Sequence, residues 1–165
     1  MIKAILVLND HGKPRLLKFF DTNDTALQQK LLAETFKSVS RRTDFMCNFI
    51  ECDGTSWEKG TKIIYRHYAT LYFIFVVDSS ESELGILDLI QTFVESLDTC
   101  FKDVCELDLI FNMEKIHYIL DEIIQGGMVI ETRKEEILKA VNEMKAKEAS
   151  EEQFTAQIKE AVFSK

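Results

Sequence analysis

The chain has 165 residues, of which 46% are hydrophobic and one is proline, and its formal net charge is -8. That length suits one domain burying roughly two-thirds of the surface its unfolded form exposes, and the apolar content excludes extended disorder outside the last stretch. The acidic balance argues against non-specific nucleic-acid binding, which needs lysine and arginine to neutralise phosphates, and against a uniformly basic membrane-binding face.

Residues 1–9, MIKAILVLN, predict a strand. Asp10-His11-Gly12-Lys13 supplies turn chemistry before a second strand from Pro14 to Phe20, so the chain opens on a hairpin. Thr22, Asn23, Asp24 and Thr25 offer caps for a helix running to about Ser40, with Leu27, Leu31, Leu32, Thr35, Phe36 and Val39 on one face. Lys37, Arg41 and Arg42 sit near its negative end, where cations are favoured. Phe45 to Glu51 reads as a third strand, and the polar loop 52–60 carries one aromatic, Trp57, expected to cap the domain's own core.

The stretch TKIIYRHYATLYFIFVVD, residues 61–78, reads as two consecutive strands, and the unbroken apolar run of the second marks it as central in its sheet. Ser79, Ser80 or Ser82 caps the next helix, whose Ile86, Leu87, Ile90, Phe93, Val94, Leu97 and Phe101 recur at three- and four-residue spacing; Ser96 falls on the polar side. Residues 104–124 give two shorter helical pieces broken near Asn112, and Gly126-Gly127 reads as a glycine cap ending the second. No lysine and serine follow that pair in the phosphate-loop pattern. Thr132 with Glu135 has the form of a capping box, and Ile137, Leu138, Val141 and Met144 carry the next helix. Residues 1–144 are expected to form the domain, and residues 145–165 a charged extension, helical or frayed, in which Phe154, Ile158, Val162 and Phe163 form an apolar set.

Cys47, Cys52, Cys100 and Cys105 show neither a CxxC pair nor zinc-ligand spacing, and His11, His67 and His117 are scattered. Ordinary cytosolic thiols, no metal and no cofactor are expected. The first ten residues are too short for a signal peptide, and no stretch approaches the roughly 20 apolar residues of a membrane span, so a soluble cytosolic protein is expected.

Three long stretches, KIIYRHYATLYFIFVVD, SSESELGILDLIQTFVESLD and VCELDLIFNMEKIHYILDEIIQGGMVIET, with the opening MIKAILVLNDHGKPRL, closely resemble the small, or sigma, subunits of clathrin-adaptor-type complexes. DSSESELGILDLIQ is most similar to the small subunits of the third adaptor complex, the one with delta and beta large chains. The resemblance covers about residues 1–142. It implies an α+β, longin-like fold, in which a five-stranded antiparallel sheet is sandwiched between α-helices. It further implies a heterotetramer with two large chains and a medium (mu) chain, clasped by the helical solenoid of one large chain. Small subunits of this kind bind, with that large chain, acidic-x-x-x-Leu-Leu or Leu-Ile signals in cytosolic tails of membrane cargo. The setting would be vesicle budding from Golgi or endosomal membranes toward lysosome-like organelles or the vacuole.

By that resemblance the signal's two apolar side chains fall on Ala69, Leu71, Val94, Val104, Cys105, Leu107 and Leu109, and its acidic residue meets Arg15 with Lys13 nearby. Periodicity alone assigns Leu71, Val94, Leu107 and Leu109 to plain core, and makes Lys13 and Arg15 solvated hairpin charges. Asp103 stands where relatives commonly carry asparagine and places a negative charge beside the signal. Two other readings compete. One is a longin-type regulatory domain binding a small GTPase or fusion protein; the other is an enzyme using Cys105 with His117 beside Glu106. The second lacks the electropositive surroundings a reactive thiol needs, so no catalysis is expected.

Overall fold

Alternation of side chains across two strands buried on both faces, broken only by an irregularity between Ile2 and Ala4, organises the molecule. In β1 (Ile2–Asn9), Ile5 and Val7 face one core while Ala4, Leu6 and Leu8 face another. In β5 (Leu71–Val77), Leu71, Phe73, Phe75 and Val77 face the first core and Ile74 and Val76 the second. A run apolar at successive positions therefore becomes a central strand, because the period of two sends neighbours to opposite sides. The computed structural model describes the backbone of residues 1–42 and 46–163, and the side chains of these except at 152 and 157–163.

With β2 (Pro14–Phe19), β3 (Phe49–Glu51) and β4 (Lys62–Tyr68), the two central strands form a five-stranded sheet in the order β2-β1-β5-β4-β3. Every neighbouring pair is antiparallel. The third strand is shorter than its sequence suggests, and the Phe45 at which it was expected to begin lies outside the described residues.

Helix α1 (Thr25–Ser40) covers the second core through Leu31, Thr35 and Val39; Leu27, expected on that face, is exposed. Asp24 caps it, its carboxylate accepting the Ala26 and Leu27 N–H groups. Trp57 closes the same core: its indole N–H donates to Thr35 Oγ1 at 2.8 Å and its ring stacks on Phe19.

The first core is covered by α2 (Glu83–Phe101), α3 (Glu106–Phe111), α4 (Met113–Ile123) and the start of α5 (Lys134–Phe163). Ser82 caps α2, accepting the Gly85 N–H, and Phe93 of this helix meets Phe73 of the sheet edge-on at 6.1 Å between ring centroids. Ser96, expected on the polar side, is fully buried; its hydroxyl donates to the Thr92 carbonyl at 2.7 Å, so a helix can bury it without an unpaired donor. Asn112 separates α3 from α4 as the spacing predicts.

Two terminal signals resolve differently from their sequence reading. Gly126 and Gly127 do not cap α4; they form the turn between β6 (Ile124–Gln125) and β7 (Met128–Val129), both with positive φ. Thr132 does not cap α5. The Glu131 carboxylate instead accepts the Thr132 and Arg133 N–H groups, each at 2.9 Å, and the helix begins two residues later. Ile137 and Val141 tie α5 to the core, and the helix continues without a break past Met144, its described side chains exposed from Lys145 onward. No described helix is long and apolar enough to cross a membrane.

Candidate functional site

Helix α2 ends in an unusual way. Lys102 and Asp103 both take left-handed backbone angles, with φ of 55° and 70°. The Lys102 N–H bonds the Asp98 carbonyl at 2.8 Å, and the Asp98 carboxylate accepts the Val104 N–H at 3.0 Å. Two successive residues in this region turn the chain sharply, so Val104 and Cys105 come to share a groove with Val94 of the helix they have just left. Asparagine, aspartate and glycine tolerate such angles best, and Asp103 supplies one of them.

The opposite wall comes from the tight turn between β4 and β5. Ala69 is also left-handed, at φ 51°, and the turn sets it and Leu71 against Val94 across a groove of about 400 Å³. Phe73 and Tyr68 also line it, and Gln91, Glu95 and Asp98 supply a polar rim. Tyr68 donates its hydroxyl to Gln91, which donates to Glu95 at 2.7 Å.

Glu106, the first residue of α3, also lines the groove. Its Oε1 accepts three donors: Arg15 Nη2 at 2.6 Å, Arg15 Nε at 2.7 Å and Asn9 Nδ2 at 3.0 Å. Hydrogen bonds from the Arg15 guanidinium and then the Asn9 amide hold the Glu106 carboxyl below the usual glutamate range, against the opposing effects of desolvation and of Asp10. Asn9 is buried and does a second job, its Oδ1 accepting the His11 and Lys13 N–H groups at 3.0 and 2.9 Å. One amide thus fixes the β1–β2 turn and the carboxylate beside Arg15.

Five of the residues assigned to a pocket by resemblance, Ala69, Leu71, Val94, Val104 and Cys105, line this one groove. Four others do not. Leu109 is buried in the core and Leu107 is 60% exposed on α3. Lys13 is exposed and engaged through its backbone, and the exposed Asp103 serves the turn. Arg15 reaches the groove only through Glu106, a partner that nothing in the sequence pairs with it across 91 positions. The Cys105–His117 pairing finds no support: the Cys105 N–H bonds Asp108 at 2.9 Å, while His117, its pKa lowered first by burial and then by Lys18, lies beside Lys18 and Asp121. Among the described residues no group of three or more His, Cys, Asp or Glu side chains is arranged to hold a metal ion.

A central antiparallel sheet in this strand order, clasped by helices on both faces, is the longin-like arrangement of adaptor small chains. The family described as "Clathrin adaptor complex small chain" matches residues 1–148, and the chain belongs to it. Within that family it is similar to "AP-3 complex subunit sigma" of Dictyostelium discoideum, 63% identical over 134 residues, covering 80% of this chain and 78% of that one. It is 57% identical over 151 residues to "AP-3 complex subunit sigma-2" of Homo sapiens, covering 92% of this chain and 78% of the relative. A structure described as "Homology model of the full-length AP-3 complex in a stretched open conformation" contains a chain with a TM-score of 0.70 and 45% identity, covering 93% of this chain and 99% of that one.

Proposed function

We propose that the protein is the small subunit of an AP-3-type heterotetrameric adaptor and that its groove takes the Leu-Leu or Leu-Ile pair of acidic dileucine signals in cargo tails. The observation that carries this is the groove itself: an open apolar slot walled by Ala69, Leu71, Val94, Val104 and Cys105, with a cation, Arg15, bonded to its lining residue Glu106. An extended peptide spans roughly 3.3 Å per residue, so a signal whose acid precedes the apolar pair by four residues bridges a slot and a nearby guanidinium.

Two large chains and a medium chain complete the complex, which acts at Golgi or endosomal membranes in transport toward lysosome-like organelles or the vacuole. Exposed Leu107, Ile110, Phe111 and Met113 on α3 and the start of α4 support assembly, since exposed apolar side chains grouped on one segment mark contact surfaces. Relatives carrying the AP-3 name support the choice of complex. Membrane association then comes from the assembled complex.

Burying two leucines contributes roughly 3 to 6 kcal/mol, and an exposed ion pair adds about 0 to 1 kcal/mol. After ordering costs a single tail binds in the micromolar to millimolar range, and capture depends on many such contacts on one membrane.

Cys105 offers a direct test, being an exposed free thiol on the groove wall. In the reconstituted heterotetramer, a peptide of the form Glu-x-x-x-Leu-Leu should slow alkylation of Cys105, read by mass spectrometry, and leave exposed Cys47 unaffected. Equal alkylation of Cys105 with and without saturating peptide would refute the groove as the binding site.

A further inference from the structure

We infer that Glu106 is a specificity-determining residue: an internal acid that occupies the signal's own carboxylate position on Arg15 and so sets how strongly an acidic tail is preferred over an uncharged one. The inference rests on the dileucine reading above and adds a residue and a role to it.

The geometry is that of a ligand already in place. Arg15 directs two of its donors, Nε and Nη2, at one oxygen of Glu106, and Asn9 adds a third. A guanidinium meets a carboxylate best through a two-point fork, and Glu106 occupies the Nε and Nη2 side of Arg15, so a second carboxylate meets a guanidinium already partly neutralised. The pair is accessible, with side-chain exposures of 20% for Arg15 and 28% for Glu106, so an incoming carboxylate can reach it and Glu106 has solvent to swing into. Glu106 also lines the groove, as first residue of α3, so tail and internal acid compete at a single location.

Two consequences separate this role from a merely structural tie between β2 and α3. An acidic tail must displace Glu106 or share Arg15 with it, and either way gains less than it would from a free guanidinium. A tail with glutamine in place of the acid meets no such charge competition. Removing the charge of Glu106 while keeping its shape should therefore tighten acidic tails selectively, whereas loosening a structural tie would weaken both tails alike.

The experiment uses the reconstituted heterotetramer carrying the full chain at fixed ionic strength, with three synthetic peptides: Glu-x-x-x-Leu-Leu, Gln-x-x-x-Leu-Leu and Glu-x-x-x-Ser-Ser. Binding is read by fluorescence anisotropy. With Glu106→Gln the glutamate peptide should bind about fivefold tighter, the factor one exposed ion pair can supply, and the glutamine peptide should stay within about twofold. Glu106→Asp keeps the negative charge at the α3 N-terminus but draws the carboxylate back by one methylene, and should shift the same ratio in the same direction by less. Leu-Leu peptides that outbind the Ser-Ser control while both variants leave the Glu-to-Gln ratio unchanged would overturn the role of Glu106 alone. A Ser-Ser control that binds as well as the Leu-Leu peptide would overturn the dileucine reading and this inference with it.

Discussion

Arg15 and Glu106, 91 positions apart in the chain, meet through two nitrogens on a single carboxylate oxygen, at 2.6 and 2.7 Å. The contact joins the edge strand β2 to the first turn of α3 and sets a balanced charge pair beside an apolar groove. Arg15→Ala leaves Glu106 without its partner, so the groove there changes from neutral to negative. Capture of acidic dileucine tails by the assembled complex should fall at least about tenfold, beyond what loss of one exposed ion pair would give. Capture of tyrosine-based tails by the medium chain should not change. Pull-down with both tails from the same preparation checks this, and an equal fall in both would show a fault in assembly instead.

Val94→Asp puts a charge on the groove wall with no cation among the other groove-lining residues. Val94 is only half-buried, so the carboxylate can reach water and the fold should persist. Dileucine binding should be lost while co-purification with the large chains is kept. Retained binding would place the signal elsewhere.

Trp57 holds the loop before β4 onto α1 through the hydrogen bond to Thr35 and onto β2 through the stack of its ring on Phe19. Trp57→Phe keeps most of the apolar area but leaves a buried hydroxyl without its donor, and should cost about 1 to 2 kcal/mol. Trp57→Ala also opens a cavity and should cost about 3 to 5 kcal/mol. Thermal unfolding of the complex, followed with each variant, ranks the two; no difference between them would mean that the ring is not packed.

Gly127 sits at φ 78° in the β6–β7 turn, and a Cβ there would lie 2.4 Å from the Ile2 carbonyl oxygen. The Gly127 carbonyl also accepts the Ile2 N–H at 2.9 Å, so the turn is fastened to β1 backbone to backbone. Gly127→Ala should destabilise by about 1 to 3 kcal/mol through left-handed strain and this clash. Gly126→Ala, with open space around the added atom, should cost less. Matched unfolding curves for the two would contradict the close approach.

Glu131 has a carboxyl pushed down to about 2 from an ordinary value of 4.5, chiefly by the Arg133 side chain and the Arg133 N–H. Because the folded value is the lower one, its support for the start of α5 is complete above about 4.5 and is lost as the pH falls through about 2. Amide signals of Thr132 and Arg133 should titrate with a midpoint near 2. A midpoint close to 4.5 would mean that the carboxylate is free in solution.

The five strands of the central sheet and their order along the chain were legible because the signals are local, whereas the β6–β7 hairpin was not. An apolar run such as Leu71–Val77 has only one way to bury both faces, and the three- and four-residue spacing from Ile86 to Phe101 has only one helical face to offer. Signals near element ends were ambiguous. Gly126-Gly127 suits a helix cap and a hairpin turn equally well, since both need positive φ, and tertiary contact with Ile2 selects the turn. Ser96 looked polar-facing because residue type does not reveal that its hydroxyl can bond back to Thr92.

The site divides along the same line. Patterns continuous along the chain determined the element order and carried the resemblance to the small-chain family, and that resemblance supplied the fold class and the candidate apolar residues of the groove. Tertiary structure alone decided which of those residues share a wall, and that Leu107 and Leu109 do not. It also decided that Arg15 is already matched by Glu106, whose carboxylate the Asn9 amide holds as well. Electrostatic pairing depends on distance in space, and residues 91 apart carry no mark of each other until the sheet and α3 bring them within 3 Å.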